Sequence, residues 1–243
     1  MEVHHHPNVE KKNFKGYLFE GLMIFIAVTL GFFAESLREH VGNKSQEREY
    51  ISSLNEDLKL DTLNLTASIS LLQKKITEFD SLVLLLNKNA PDSSEVNEMY
   101  FYARSATRKK SFQSSDRTLT ELKNSGAFRL LTNTQLTEQI MEYDQRVNYY
   151  EVNARNDLQE RELLYPFISK IFDANVFQTM VNNRDGIIVK PVGAHTLKTE
   201  DKEYINQFIY YVHQVKSSFI VEKKALEDLK KDAASIIQLI TQN

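Results

Sequence analysis

Residues 17–34 read YLFEGLMIFIAVTLGFFA, about 18 residues in which Glu20 is the sole charge, close to the ~20 apolar residues that carry a helix across a bilayer. The run predicts a membrane-spanning helix. Every later segment mixes charged residues with apolar ones at helical spacing, the pattern of helices that bury one face and wet the other. The chain therefore reads as a His- and Lys-containing tail (1–16), a transmembrane anchor (17–37) and a helical bundle domain (44–243).

Composition agrees. The chain has 243 residues, 42% hydrophobic and 26% charged, with a net charge of -3, which describes a foldable chain rather than a disordered or nucleic-acid-coating one. Seven Gly and four Pro are few for this length, and the dominance of Leu, Ile, Glu, Lys, Gln and Asn favours long helices over strands and turns. With no Cys, disulfides, zinc-thiolate sites and thiol catalysis are excluded.

A cleavable secretory signal is the competing reading, because Lys11, Lys12 and Lys15 form a basic region ahead of the apolar run. That run ends Gly31-Phe32-Phe33-Ala34-Glu35, with bulky Phe where a cleavage site requires small side chains. An uncleaved anchor is expected instead. Positive charge is nearly balanced across it, with the three Lys before and Arg38, Lys44 and Arg48 after. A short basic tail ahead of a first span usually stays in the cytoplasm. This places the chain in the inner membrane as a single-pass protein, N-terminus cytoplasmic and bundle periplasmic.

From Ile51 the apolar positions Leu54, Leu58, Leu65, Ile69, Leu72, Ile76, Phe79, Val83 and Leu86 follow spacings of three and four, with Asp61 interrupting the series. They predict a helix of roughly 45 residues over 44–88, about 65 Å long, set off from the anchor by a hinge at Gly42-Asn43. Residues 89–94 read as a turn with N-cap residues for a second helix carrying Val96, Met99, Tyr100 and Ala103. That helix weakens at 108–111. A short piece follows from Asp116, with Thr118 and Glu121 at capping-box spacing, and ends at Ser125-Gly126. A third long helix opens near 132–134 with Leu136, Ile140, Tyr143, Val147, Tyr150, Leu158 and Tyr165 on one stripe, until Pro166 interrupts it. Residues 173–198 read as an irregular connection in which 186–191 form a small strand or a lid. Thr199 caps a last helix whose stripe is Tyr204, Phe208, Tyr211, Val215, Phe219, Leu226, Leu229, Ala233, Ile236 and Ile240. The expected fold is all-α: a single transmembrane helix followed by an elongated, antiparallel four-helix-bundle-like domain with one broken helix.

Two parts of this pattern resemble known groups. The opening Met1-Glu2-Val3-His4-His5-His6-Pro7, Phe14-Lys15, the anchor end at 30–35, and then Glu49-Tyr50-Ile51, Leu54, Asp57-Leu58 and Asp61 resemble an uncharacterised family of single-span membrane proteins from Bacteroidota. The run LKNSGAFRLL at 122–131, followed by Ile140 and Tyr143, is similar to a related domain-of-unknown-function group. The resemblance implies an inner-membrane, Gram-negative setting and transfers no activity.

Residues that could carry chemistry are few. Glu20 lies about one turn inside the apolar run, where a carboxylate either snorkels toward Lys15 or meets another span. Ala27 and Gly31 form a small-x-x-x-small pair suited to close helix approach. Asp61 on the apolar stripe reads first as a boundary residue shielded only partly, and otherwise as a register residue, a partner for an Arg of another helix, or a ligand contact. Arg104, Arg108, Lys109 and Lys110 are the one basic cluster of the domain, preceded by Tyr100, Phe101 and Tyr102. With a net charge of -3 and an anchor, a solvated face, or lipid phosphate if the broken helix returns to the bilayer, is expected there rather than nucleic acid. His4, His5 and His6 are adjacent on a tail, a poor geometry for selective metal binding, so no metal or cofactor is expected. No Glu-x-x-His pair, His-Glu-x-x-His, Walker loop or Gly-x-Gly-x-x-Gly fingerprint occurs, and His195 and His213 have no nucleophile pattern beside them. The expected function is a non-enzymatic, membrane-anchored adaptor or scaffold of the bacterial envelope, with a protein partner and a second copy as candidate contacts. The alternative is a ligand-sensing bundle signalling through a membrane partner.

Overall fold

The computed structural model of the protein describes residues 13–182 and 186–242, apart from the side chains of 156–158. The His4–His6 tail, the opening motif and the side chain of Leu158 lie outside the described residues. Contacts divide the chain into two compact units between Tyr50 and Ile51. α1 (Phe14–Leu86) runs through that division as one helix of 73 residues, so the hinge expected at Gly42-Asn43 is not there. A lone Gly costs a helix only about 1 kcal/mol relative to Ala. Helix formers surround this one, and Glu35 and Arg38 pair at 2.5 Å one turn earlier.

In the first unit, α1 contains a window long and apolar enough to cross a membrane, with none of it buried. Phe19, Phe25, Phe32 and Phe33 are all exposed.

The second unit continues α1 and adds six helices. They are α2 (Ser93–Ala106), α3 (Arg117–Ser125), α4 (Thr134–Glu162), α5 (Tyr165–Ile171), α6 (Ala174–Thr179) and α7 (Lys202–Gln242), with a 3-10 turn at Ala127–Leu130. Among the described residues the only β pairing is an isolated antiparallel bridge between Val181 and Ile188. The fold is all-α. α4 and α5 pack on α7, and α2 packs against α6. Phe79 of α1 meets Phe219 of α7 with ring centroids 5.5 Å apart.

Local chemistry sets the ends of these helices. Asp92 closes a capping box with Glu95 at the start of α2, and the Asn133 side chain accepts from the Leu136 amide at the start of α4. Each such cap satisfies amides that the first turn leaves without a partner, worth about 1 kcal/mol. Pro166 occupies the first turn of α5 and separates it from α4. Gly126 ends α3 in the left-handed region at φ 66°.

Four expectations change. Residues 173–198, read as irregular, contain α6, whose N-cap Asp173 accepts from the Asn175 amide. Thr199 does not begin the last helix: its hydroxyl accepts from the Asp201 amide, and Asp201 accepts from Glu203 at the start of α7. Thr118 is not the cap of a capping box: it lies inside α3, whose N-cap is Asp116, and its hydroxyl donates to Asp57 of α1 at 2.6 Å, a charge-assisted bond. Tyr165 is exposed rather than on the buried stripe of α4, which continues through Leu164 instead.

The core runs from Leu54, Leu58, Leu65, Leu72 and Phe79 through Met99, Tyr100, Ile140 and Tyr143 to Phe208, Val215, Phe219 and Leu226, each almost fully buried. Burial of each large apolar side chain contributes roughly 1.5–3 kcal/mol. Charged residues are buried among them, and these decide where the connection between α2 and α3 sits.

Candidate functional site

Ten residues, 107–116, join α2 to α3 without regular structure, and buried charge holds both sides of this strap. At its α3 end, Asp61 accepts from the Ser114 hydroxyl at 2.5 Å, the Ser115 amide at 2.6 Å and the Tyr143 hydroxyl at 2.7 Å. One turn earlier on α1, Asp57 accepts from the Thr118 amide at 3.1 Å, the Thr118 hydroxyl at 2.6 Å and Arg117 at 2.8 Å. Asp116, the local N-cap, makes no side-chain cap bond to α3. Asp57 therefore caps α3 from another helix, placing a carboxylate where the helix dipole favours one. Burial pushes the Asp57 carboxyl up, but the bonds from Thr118 and Arg117 outweigh it and leave it below its ordinary value. Burial, and then the Asp61 charge, push the Tyr143 phenol well above its ordinary value, so it stays a donor.

The α2 end is held in the same way. Lys75 of α1 donates to the Ser105 carbonyl at 2.7 Å and to the Ser105 hydroxyl, which in turn donates to Glu78 at 2.9 Å. Burial lowers the Lys75 ammonium against the raising influence of Glu78. In the middle, Lys109 reaches inward to an ion pair with Glu222 of α7, both side chains almost fully buried, and its ammonium lies 5.5 Å from the centre of the Phe219 ring. Tyr150 donates to the other Glu222 oxygen at 3.0 Å and accepts from the Phe112 amide at 3.1 Å. Burial, then Glu222, raise the Tyr150 phenol.

The expected site residues are thus dispersed. Asp61 is almost fully buried rather than a partly shielded boundary residue, because it holds the strap through protein donors, and an Arg does meet a buried carboxylate of α1, although at Asp57. Of the basic cluster, Lys109 is directed into the core. Lys110 lines a groove of 360 Å³ with Asn64, Ser68, Leu71 and the strap. Arg104 lines a different groove, of 450 Å³, with Ala174, Phe177, Gln178 and Val181, and Arg108 is exposed. Glu20, Ala27 and Gly31 lie on the unburied stretch of α1, and nothing comes within 4 Å of a side chain added at Gly31. His213 is exposed; His195 has its Nε2 buried without a hydrogen-bond partner, and its ring centroid is 6.1 Å from that of Tyr100.

The largest of the described cavities, 670 Å³, lies at the turn between α1 and α2, where Leu86, Val96, Met99, His195, Glu200 and Ile205 are among its walls. Beside it, Tyr100 bonds the Thr196 carbonyl and the Asp173 amide at 3.0 and 2.9 Å, fixing the 193–198 segment. On α2, Tyr102 is pushed up to about 12, first by its hydrogen bond to Glu98 and then by burial. Among the described residues no three His, Cys, Asp or Glu side chains converge as a metal site would require.

Asp57, Lys75, Glu78 and Glu222 were not singled out in the sequence. The signal was present at three of them: Asp57, Lys75 and Glu222 each fall three or four residues from an apolar stripe position, which for a charge predicts either a boundary or a buried partner, whereas Glu78 adjoins the stripe at Phe79. Comparison of the chain with protein-family models, with curated proteins and with solved structures finds no match.

Proposed function

We propose that this chain is a non-enzymatic, membrane-anchored adaptor of the bacterial envelope, its anchor in the inner membrane, its N-terminus cytoplasmic and its helical domain a periplasmic, antiparallel four-helix-bundle-like scaffold. One observation carries the reading: the buried carboxylates Asp57, Asp61, Glu78 and Glu222 are bonded to donors of the same chain. Charge used in this way rigidifies a scaffold. Apolar side chains at the surface, such as Met141, Tyr149 and Val152 on α4, supply contact area for a protein partner. The anchor reading rests on the unburied apolar window of α1, and Ala27 and Gly31 suit pairing with a second copy in the bilayer.

The chain has no Cys, so a single Cys at Asn89 reports topology cleanly. Labelling by a membrane-impermeant maleimide in intact spheroplasts supports the periplasmic reading; labelling only after lysis refutes it. A photo-crosslinking residue at Tyr149 is expected to give a discrete adduct in cells, and its absence at Tyr149 and Val152 alike refutes the adaptor. Gly31→Leu is expected to abolish self-association in a membrane two-hybrid assay.

The 670 Å³ cavity favours a second reading, a ligand-sensing domain that signals through a membrane partner, because its volume suits a small molecule. Filling it from an exposed wall position with Asn206→Trp separates the two: a sensor loses its response, whereas an adaptor keeps its crosslinks.

A further inference from the structure

Buried charge in the second unit follows a rule to which Arg104 is the exception. Asp57, Asp61, Lys75, Lys109 and Glu222 each meet an opposite charge or a set of neutral donors or acceptors. Arg104 is half-buried on α2, and its Nε is buried with no hydrogen-bond partner. Its guanidinium lies 5.6 Å from the centre of the Phe177 ring on α6. Burial, and then the charge of Arg108, hold its ionisation below the ordinary value, against a raising influence from Tyr165. No described carboxylate pairs with either arginine.

Stacking on Phe177 explains the orientation of Arg104 but not the pairing of two cations. A guanidinium over an aromatic ring gains about 0.5–2 kcal/mol, and leaving one of its donors buried and unbonded costs about 1–3 kcal/mol. The stack also holds the planar fork in place, which is what bidentate recognition of an oxyanion requires. Below it opens the 450 Å³ groove walled by Ala174, Phe177, Gln178 and Val181, within the range that admits a small molecule or headgroup. Ala174 leaves room and the exposed Gln178 offers an amide.

The geometry points to a phosphate-binding site in the groove between α2 and α6, with Arg104 as the stacked fork, Gln178 at the rim and Arg108, four residues on and not part of the groove wall, as the second cation. Its ligand is a phosphate group, carried either by a soluble phosphate ester or by a phospholipid headgroup. The site is independent of the adaptor reading. Of the four basic residues clustered in the sequence, it takes only these two, because Lys109 is held by Glu222 and Lys110 lines another groove.

The test uses the full chain with Thr179→Cys, exposed beside the groove but not in its wall, labelled by bimane, in a neutral detergent. Inorganic phosphate is titrated against chloride at matched ionic strength. A second arm reconstitutes the same protein in phosphatidylcholine vesicles with or without phosphatidylglycerol. A saturable change of emission with inorganic phosphate but not chloride, weakened about tenfold or more in Arg108→Gln and Arg104→Lys, supports the site with a soluble ligand. A change that needs phosphatidylglycerol and is lost in the same variants supports it with a lipid headgroup. Arg108 is exposed, so its variant keeps the test valid even if Arg104 variants unfold. No saturable change in either arm, or one equal in both variants and the unsubstituted chain, overturns the proposal.

Discussion

Replacing Asp61 by Ala tests whether the strap is clamped by charge. The carboxylate is 1% exposed and accepts from Ser114, Ser115 and Tyr143 at 2.5–2.7 Å. Truncation leaves the Tyr143 hydroxyl, itself 1% exposed, and the Ser115 amide without their acceptor. A hydrogen bond to a charged group contributes about 1.5–3 kcal/mol, and a stranded buried donor costs about 1–3 kcal/mol. These terms overlap, and relief from burying the carboxylate offsets part of them, so the expected loss is about 3–5 kcal/mol, as when one partner of a buried charged pair is removed. Tyr143→Phe removes one donor and leaves two on the carboxylate, for an expected loss of about 1–2 kcal/mol. Urea unfolding of the full chain in detergent, followed by the near-ultraviolet circular dichroism of its tyrosines, measures both, and the double variant gives their coupling. If Asp61→Ala costs under about 1 kcal/mol, or no more than Tyr143→Phe, the carboxylate is not the clamp and the reasoning fails.

Three further outcomes follow from the same structure. Lys109→Met and Glu222→Gln should each destabilise the domain, and their double variant should lose at least about 1 kcal/mol less than the sum, since the pair is buried and in contact; additive losses in urea unfolding contradict the pairing. Asp57 sits below its ordinary value of 3.8 when folded, so its contribution is present above pH 4 and disappears as pH falls through the depressed value. Wild type should therefore lose more stability between pH 5 and pH 3 than Asp57→Asn, and equal losses refute the assignment. Gly42→Ala, at a helical position with open space around it, should stabilise helix α1 by about 0.5–1 kcal/mol, whereas Gly126→Ala, at φ 66°, should cost about 1 kcal/mol; hydrogen exchange of the flanking amides reads both.

Periodicity alone made most of the helices legible. The stripe Leu54, Leu58, Leu65, Leu72, Ile76, Phe79 and Leu86 is buried as spaced, with Ile69 and Val83 half-buried and Leu82 buried beside the latter, because a helix that must hide one face writes that face into its sequence every three to four residues. The apolar run at 17–34 is legible for the same reason, since a window whose sole charge is Glu20 has no continuous wet side. Helix ends with self-contained chemistry were also legible, as at Asp92, Pro166 and Gly126.

Partners were not legible, because a charge on an apolar stripe states that a donor or acceptor must come from elsewhere without saying from where. Only the packing of helices distant in sequence brought Asp57 to the first turn of α3, Asp61 to Tyr143, and Glu222 to Lys109. The same packing split a cluster of basic residues close in sequence: it drew Lys109 into the core, turned Lys110 to one groove, and left Arg104 against Phe177 in another. Neighbours along a chain part company wherever its backbone leaves the helix, as it does after Ala106, and each side chain then follows whichever counter-charge or ring the fold brings within reach.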